Sequence, residues 1–224
     1  MLPDRDYESY KSKSFIERFT GHIKTVHKHK KNVRKACFRM GLYYQGIVHD
    51  LSKFSPTEFI PSVKYYSGQF SPNAVDKKLT GASTSWLHHK GRNKHHFEYW
   101  TDYSMGPKPK MQGVRMPMRY VAEMVADRYA ACIAYNKDMY DKKDAWTYYN
   151  RNGQYLDFDP DTRAVLEAAL KTMRDESEEA AFKLMKRLLA ITKDRDYDAS
   201  ILDRAGYDDS KHPDVEISIS DKVF

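Results

Sequence analysis

From Phe15 onward, apolar and semi-apolar residues recur at steps of three and four: Phe19, His22, Val26, His29, Val33, Ala36, Cys37 and Met40, with Gly41 directly behind them. That spacing lays one stripe along an α-helix, and a glycine just past the last stripe residue is a common helix stop. A strand cannot use the pattern, because its side chains alternate with a period of two. The helical period returns in MRYVAEMVADRYAACIAYN, residues 118–136, and in two later segments, about Asp161 to Arg174, announced by Asp159 and Pro160, and about Glu178 to Thr192. Ser55, Pro56 and Glu58 read as the N-cap, first-turn proline and capping-box acid of a further helix through about Tyr66. Leu42 to Phe54 carries an apolar stretch around Ile47 and Val48, and Ala74 to His89 a weaker helical pattern interrupted by Gly81. Nothing reads as a sheet, so the expected fold class is all-α, a compact helical bundle.

Turn-forming clusters at Ser67 to Asn73 and Pro107 to Pro117 mark connections between helices. From Arg195 the chain has 8 acidic against 4 basic residues and many turn formers, which predicts a helical domain over 1–194 and an acidic, mostly irregular, surface-lying tail over 195–224. At 224 residues and 41% hydrophobic the chain can bury a core. No apolar run approaches the roughly 20 residues that a membrane span needs, and the N-terminus has no stretch of signal-peptide type, so a cytoplasmic, membrane-free protein is expected. Only Cys37 and Cys132 are available, each inside a helical pattern, which excludes a disulfide framework or a cysteine-built zinc site. Any metal must be held by histidine and carboxylate.

Charge is unevenly spread. Residues 1–120 carry 22 Lys and Arg against 9 Asp and Glu, a balance of +13, whereas residues 121–224 carry 16 against 22, or −6. A positive field over a site concentrates anions, favouring a small phosphate- or carboxylate-bearing substrate, with nucleic acid as the alternative partner.

The histidines lie in the same basic half. His49 and Asp50 end the apolar run GIVHD and place two metal-binding side chains at the edge of a core. His22 lies on the buried stripe of the first helix, and His29 shares the stripe two turns on, about 10 Å away at 1.5 Å rise per residue, where it can line the same cavity. Asp127 follows Tyr120 and Met124 on one face of the 118–136 helix and points at apolar surroundings, where an unpaired carboxylate is costly and a cation would offset it. Glu123, one turn earlier, is the nearest spare acid. WLHHKGRNKHHFEYW packs His88, His89, His95 and His96 into nine positions around a glycine, and imidazole is a common ligand for zinc, iron and manganese.

In this order the residues resemble the HD-domain superfamily of metal-dependent phosphohydrolases, whose signature runs His, His-Asp, further histidines, Asp. His22, His49-Asp50 and Asp127 match in order, and HDLSK resembles the HD-x-x-K form with Lys53 in the lysine position. The resemblance covers residues 22 to 127. It implies an all-helical domain in which those four residues hold one divalent metal ion, Fe, Mn or Zn, and in which extra histidines allow a second. His89 and His96 are the expected extra ligands, with His88 and His95 as rivals for that role or as substrate contacts beside His29. Asp50, Lys53 and Glu123 are the candidates for catalytic work, and Lys53 with Arg92 for gripping an anionic group. The expected activity is hydrolysis of a phosphate ester, possibly of a nucleotide. The alternatives are a di-iron oxygenase using the same ligands and a basic nucleic-acid-binding protein without catalysis.

Overall fold

A computed structural model describes residues 6–152, 157–192 and 194–215. The fold is all-α. Its first long helix, α1 (Phe15–Met40), opens on a capping box in which Ser14 Oγ accepts from the Glu17 backbone N–H and the Glu17 carboxylate accepts from the Ser14 backbone N–H. It ends where Gly41 turns left-handed at φ 85° and Leu42 N–H reaches back to the Cys37 carbonyl at 2.8 Å. Of the expected stripe, His22, Val26, His29, Val33, Ala36, Cys37 and Met40 form the buried face, whereas Phe19, near the start of the helix, is exposed.

That face packs along α6 (Met118–Asn136), the central helix of the bundle. Val121, Ala122, Val125, Ala126 and Ala130 are inaccessible to solvent, so α6 is covered on nearly all sides, as a helix must be when it is apolar around much of its circumference. Its alanines let neighbours approach closely. Against α6 lie α7 (Asp144–Asn152), α8 (Pro160–Asp175), whose N-cap Asp159 accepts from Thr162 N–H at 3.0 Å, and α9 (Glu178–Ile191). Leu166, Leu170, Met173, Phe182, Met185 and Leu188 fill the space between them.

The site is framed by the shorter helices on the other side of α1. The Leu42 to Phe54 stretch is two pieces, α2 (Tyr43–Val48) and a 3-10 turn Leu51–Phe54, with His49 and Asp50 at the break. Helix α3 (Pro56–Lys64) follows, and the weak Ala74 to His89 pattern resolves into α4 (Pro72–Thr80) and α5 (Thr84–Arg92), parted at Gly81 with φ 83°. The expectation of no sheet needs one correction: Thr101–Tyr103 (β1) pairs antiparallel with Met111–Gly113 (β2). These strands of three residues are too short to show an alternating pattern.

The described part of the tail is mostly irregular, but it does not lie only on the surface. Tyr197, Ile201 and Ala205 join the core, α10 (Ile201–Arg204) forms, and Tyr197 Oη donates to the Met116 carbonyl at 2.7 Å. Arg174 donates to the Pro213 carbonyl at 2.8 Å, and buried His212 lies 3.0 Å from Asp175. The acidic side chains and turn formers of 195–215 hid three apolar anchors, too few to register as a helix; residues 216–224 of the expected tail lie outside the described residues. Among the described residues no helix is long and apolar enough to cross a membrane, and both cysteines are buried and unbonded to each other.

Candidate metal centre and its cavity

Asp50 is the pivot. Helix α2 stops at Val48, and Asp50 adopts left-handed φ 54° and ψ 31°, a conformation that L-residues avoid and that aspartate tolerates better than most. This kink lets two consecutive side chains, His49 and Asp50, serve one buried cluster; both residues are almost wholly buried. Lys30 of α1 donates to the His49 carbonyl and holds the kink from below.

The two Asp50 oxygens face different partners. Around Oδ2 stand His49 Nε2 at 3.3 Å and His29 Nε2 at 3.7 Å, with Asp127 Oδ1 3.0 Å from His29 Nε2 and 3.5 Å from His49 Nε2. The two imidazole nitrogens are 3.4 Å apart. Donors at about 2.1 Å from a shared ion lie about 3.0 Å apart along an octahedral edge and about 3.4 Å apart along a tetrahedral one, so this spacing fits a single divalent cation. Around Oδ1 stand His89 Nε2 and His95 Nε2, each at 3.4 Å, and a nitrogen of His96 completes a group whose donor atoms lie within 4.8 Å of one another. Asp50 Oδ1, His95 Nε2 and His96 Nε2 are buried without a hydrogen-bond partner, whereas Asp50 Oδ2 is met by the Lys53 ammonium at 2.6 Å. Buried polar atoms are rarely left unpaired, and these three belong to one donor group, which is what a metal centre requires of its ligands.

Two carboxylates outside these groups set which ring nitrogen faces inward. Glu123 Oε1 lies 2.9 Å from His49 Nδ1 and 3.2 Å from His95 Nδ1, while Glu58 Oε2 lies 2.7 Å from His89 Nδ1 and its Oε1 2.7 Å from His88 Nδ1. Each carboxylate accepts the Nδ1 proton, so that His49, His89 and His95 present Nε2 toward Asp50, an arrangement typical of metal-binding imidazoles. Burial opposes charge on Glu123 and Glu58, yet the imidazole hydrogen bonds outweigh it and hold both below the usual carboxylate range. Burial also opposes ionised Asp50 and Asp127; His49 and Lys53 for the first, and His29 and His49 for the second, keep them well below that range. His49, despite burial, is held well above the ordinary imidazole value by Asp50, Asp127 and Glu123. His29 and His96 go the other way, pulled down first by burial and then by Lys53 for His29 and by His95 for His96. The cluster therefore concentrates negative charge, with Lys53 Nζ 2.6 Å from Asp50 Oδ2 as the nearest compensating cation.

A cavity of about 420 Å³ opens beside the cluster. It runs along α1 from His29 to His22 and along α6 from Asp127 to Tyr135; Lys53, His89 and His96 border its inner end, and Trp86, Phe97 and Tyr149 form apolar wall. Two further cations, Lys77 and Arg128, line it.

The expected residues sort as follows. His49, Asp50 and Asp127 come together as read, and His89 and His96 share the second group, joined there by His95, a rival for that role and a candidate substrate contact. His29, placed beside the substrate from sequence, takes the first-ligand position, and His22 falls outside every group. The two lie seven residues apart on one stripe, so only the level at which Asp127 meets α1 decides between them. Glu123 does not line the cavity and is engaged by His49 and His95; His88 is turned onto Glu58. Arg92 is exposed at the end of α5 and does not line the cavity. Glu58 escaped notice as a functional residue because it stands three residues after Ser55, as a capping-box acid would. In the structure Ser55 makes no side-chain cap, and the carboxylate is taken by two imidazoles. Its signal was a carboxylate on the helix before a histidine cluster.

Residues 18–172, which contain every residue of this centre, match the family of unknown function DUF5662. No curated protein and no solved structure matches the chain.

Proposed function

The chain belongs to the DUF5662 family, and for it we propose metal-dependent hydrolysis of a phosphate ester. The observation that carries the reading is Asp50, whose two oxygens each face a separate set of imidazole nitrogens at the inner end of a ligand-sized cavity. His29, His49, Asp50 and Asp127 would hold one divalent ion, and Asp50, His89, His95 and His96 a second. In sequence order these are His, His-Asp, two or three histidines and Asp, the order that the HD-domain resemblance implies, with His29 in the first position.

Fe, Mn or Zn bound there would supply a water of lowered pKa and Lewis-acid polarisation of the phosphoryl oxygens. The chain's own groups supply the rest. Lys53, lining the cavity beside Asp50, offers its ammonium to an anionic oxygen; burial works against its charge, but Asp50 and Asp127 outweigh burial and keep it protonated. Glu123 and Glu58 hold the Nδ1 protons of His49, His95 and His89, so that these rings neither rotate nor change tautomer. Arg128 adds positive charge to the cavity wall, and Trp86 and Phe97 give it apolar surface.

The test is elemental analysis of protein purified without a histidine tag, followed by a panel of phosphomonoesters, nucleotides and cyclic dinucleotides. We expect close to two metal equivalents per chain and metal-dependent phosphate release that Lys53→Ala weakens without changing metal content. The three imidazoles of the second group also suit iron, which favours a di-iron oxygenase as second reading. Oxygen consumption by ferrous-loaded protein with an organic substrate, together with no phosphate release across the panel, would replace the first reading by the second.

A further inference from the structure

His22 is left over by the metal centre and is the most singular group in the cavity. It is 6% exposed, lines the cavity wall, and its Nε2 has no hydrogen-bond partner. Its ring is held edge-on between Phe59 and Tyr66, at centroid distances of 5.4 and 6.0 Å. Seven residues separate it from His29 on α1, which puts it about 10 Å along the helix from the metal centre. Leaving a buried ring nitrogen unpaired costs stability, and on a side chain that lines a cavity a small turn of the ring would let a ligand there pair it.

The surroundings of His22 restrict the chemistry of that ligand. Thr25, Ser62, Tyr66, Ser71 and Tyr135 line the cavity around it, all hydroxyl-bearing and uncharged. Thr25 Oγ1 and Tyr66 Oη are hydrogen-bonded at 2.9 Å, and Tyr135 hydrogen-bonds Ser71. Burial, and then the charge of Lys53, lower the His22 pKa to about 4, so the imidazole is neutral near pH 7 and offers no charge to an anion. The charged residues of the lining are Lys53, Lys77 and Arg128 with Glu58, Glu98 and Asp127, and none of the five hydroxyl-bearing residues around His22 carries a fixed charge. The close approach of Tyr66 depends on Gly21, where a Cβ would lie 2.5 Å from the Tyr66 ring.

We propose that the far end of the cavity is a subsite for an uncharged hydrogen-bonding head group, and that His22 is its specificity-determining residue. The substrate class this implies is an elongated phosphate monoester with its phosphate at the metal centre and hydroxyl or ring-amide groups about 10 Å away, as in a sugar phosphate or a nucleoside monophosphate. The inference rests on the phosphate-ester reading only for what occupies the inner end.

The experiment is calorimetric binding to zinc-loaded protein of glucose 6-phosphate, the common nucleoside monophosphates, propyl phosphate and inorganic phosphate, with wild type, His22→Leu and His22→Gln. At least one headed ester should bind wild type at least about tenfold more tightly than propyl phosphate; His22→Leu should erase that advantage and His22→Gln should keep part of it, with metal content equal in all three. A preference for the sugar phosphate or for the nucleotides identifies the head. If His22→Leu fails to fold, the ring-nitrogen NMR shift of His22 in wild type decides: it must move on saturation with the headed ester and stay still with propyl phosphate. The proposal is overturned if no headed ester outbinds propyl phosphate, if the advantage survives in His22→Leu, or if the His22 resonance is unmoved. Headed esters that bind in a His22-dependent way without being hydrolysed would uphold the subsite while removing the phosphohydrolase reading.

Discussion

Replacing Glu123 separates a carboxylate that holds ligands from one that does chemistry. Its Oε1 accepts from His49 Nδ1 at 2.9 Å and from His95 Nδ1 at 3.2 Å, so a single side chain supports one imidazole of each donor group. Loss of such a supporting partner costs about 10- to 100-fold in metal affinity, or about 1.4 to 2.7 kcal/mol, at each site it serves. Glu123→Ala removes both hydrogen bonds and leaves room for the rings to turn, so the loss should approach about 100-fold at both sites. Glu123→Gln keeps an oxygen acceptor but loses the charge, and about tenfold is expected. Competition for zinc against a chromophoric chelator reads both constants, with far-UV circular dichroism showing that the helices remain. Two outcomes refute the reasoning: affinity within twofold of wild type in Glu123→Ala, or a variant that keeps its metal yet loses all turnover. The second would return Glu123 to the catalytic role that its sequence position suggested.

Four other outcomes follow from the geometry. Asp50→Asn keeps a side chain that tolerates the left-handed φ of 54° but withdraws charge from both donor groups, so metal should be lost from both while helical content stays; stoichiometric metal in that variant would contradict the shared-ligand arrangement. Because carboxylates hold His49 well above the ordinary imidazole range in the metal-free protein, metal must displace its proton: apparent affinity should rise about tenfold per pH unit up to that pKa, and calorimetry in two buffers should register proton release. The His22 ring should titrate by NMR near 4; since its folded value lies below the 6.5 of an ordinary histidine, its contribution to stability is complete above 6.5 and lost as pH falls toward 4, at most on the order of 3 kcal/mol, and a measured value near 6.5 would refute its buried placement. Gly113→Ala would put a Cβ 2.3 Å from the Asp159 backbone nitrogen at the start of α8, so it should destabilise by about 2 kcal/mol or more, readable as a lowered denaturation midpoint.

Legibility in the sequence followed the range of the interaction involved. The ends of α1 and α6 could be read because an unbroken stripe and Gly41 report on the helix itself, and His49, Asp50 and Asp127 could be read because each places a polar group where the local pattern is apolar. His22 and His29 could not be ranked, since they share a face and differ only in height, which α6 sets from a hundred residues away. Glu58 satisfied the capping-box spacing while its partners, His88 and His89, lay on another helix, so the local rule gave a false reading. Helix α7, DAWTYYNRN, was missed because aromatic residues and threonine favour strands as readily as one short helical face packed on α8. The burial of part of the tail was not legible because its anchors, Tyr197, Ile201 and Ala205, are few and separated by acidic residues.

Asp50 lends one oxygen to each donor group, and a carboxylate has only one orientation to lend. If both groups hold metal as proposed, the first ion settles the remaining side-chain torsions of Asp50 and aims its other oxygen for the second, while the charge of the first repels the second. The two binding constants are then linked, and by reciprocity whatever factor one ion confers on the other is returned unchanged. A substitution on α5, at His89, would be felt by an ion held between α1 and α6, through a single shared residue, and the population of half-loaded protein reads the sign of that linkage.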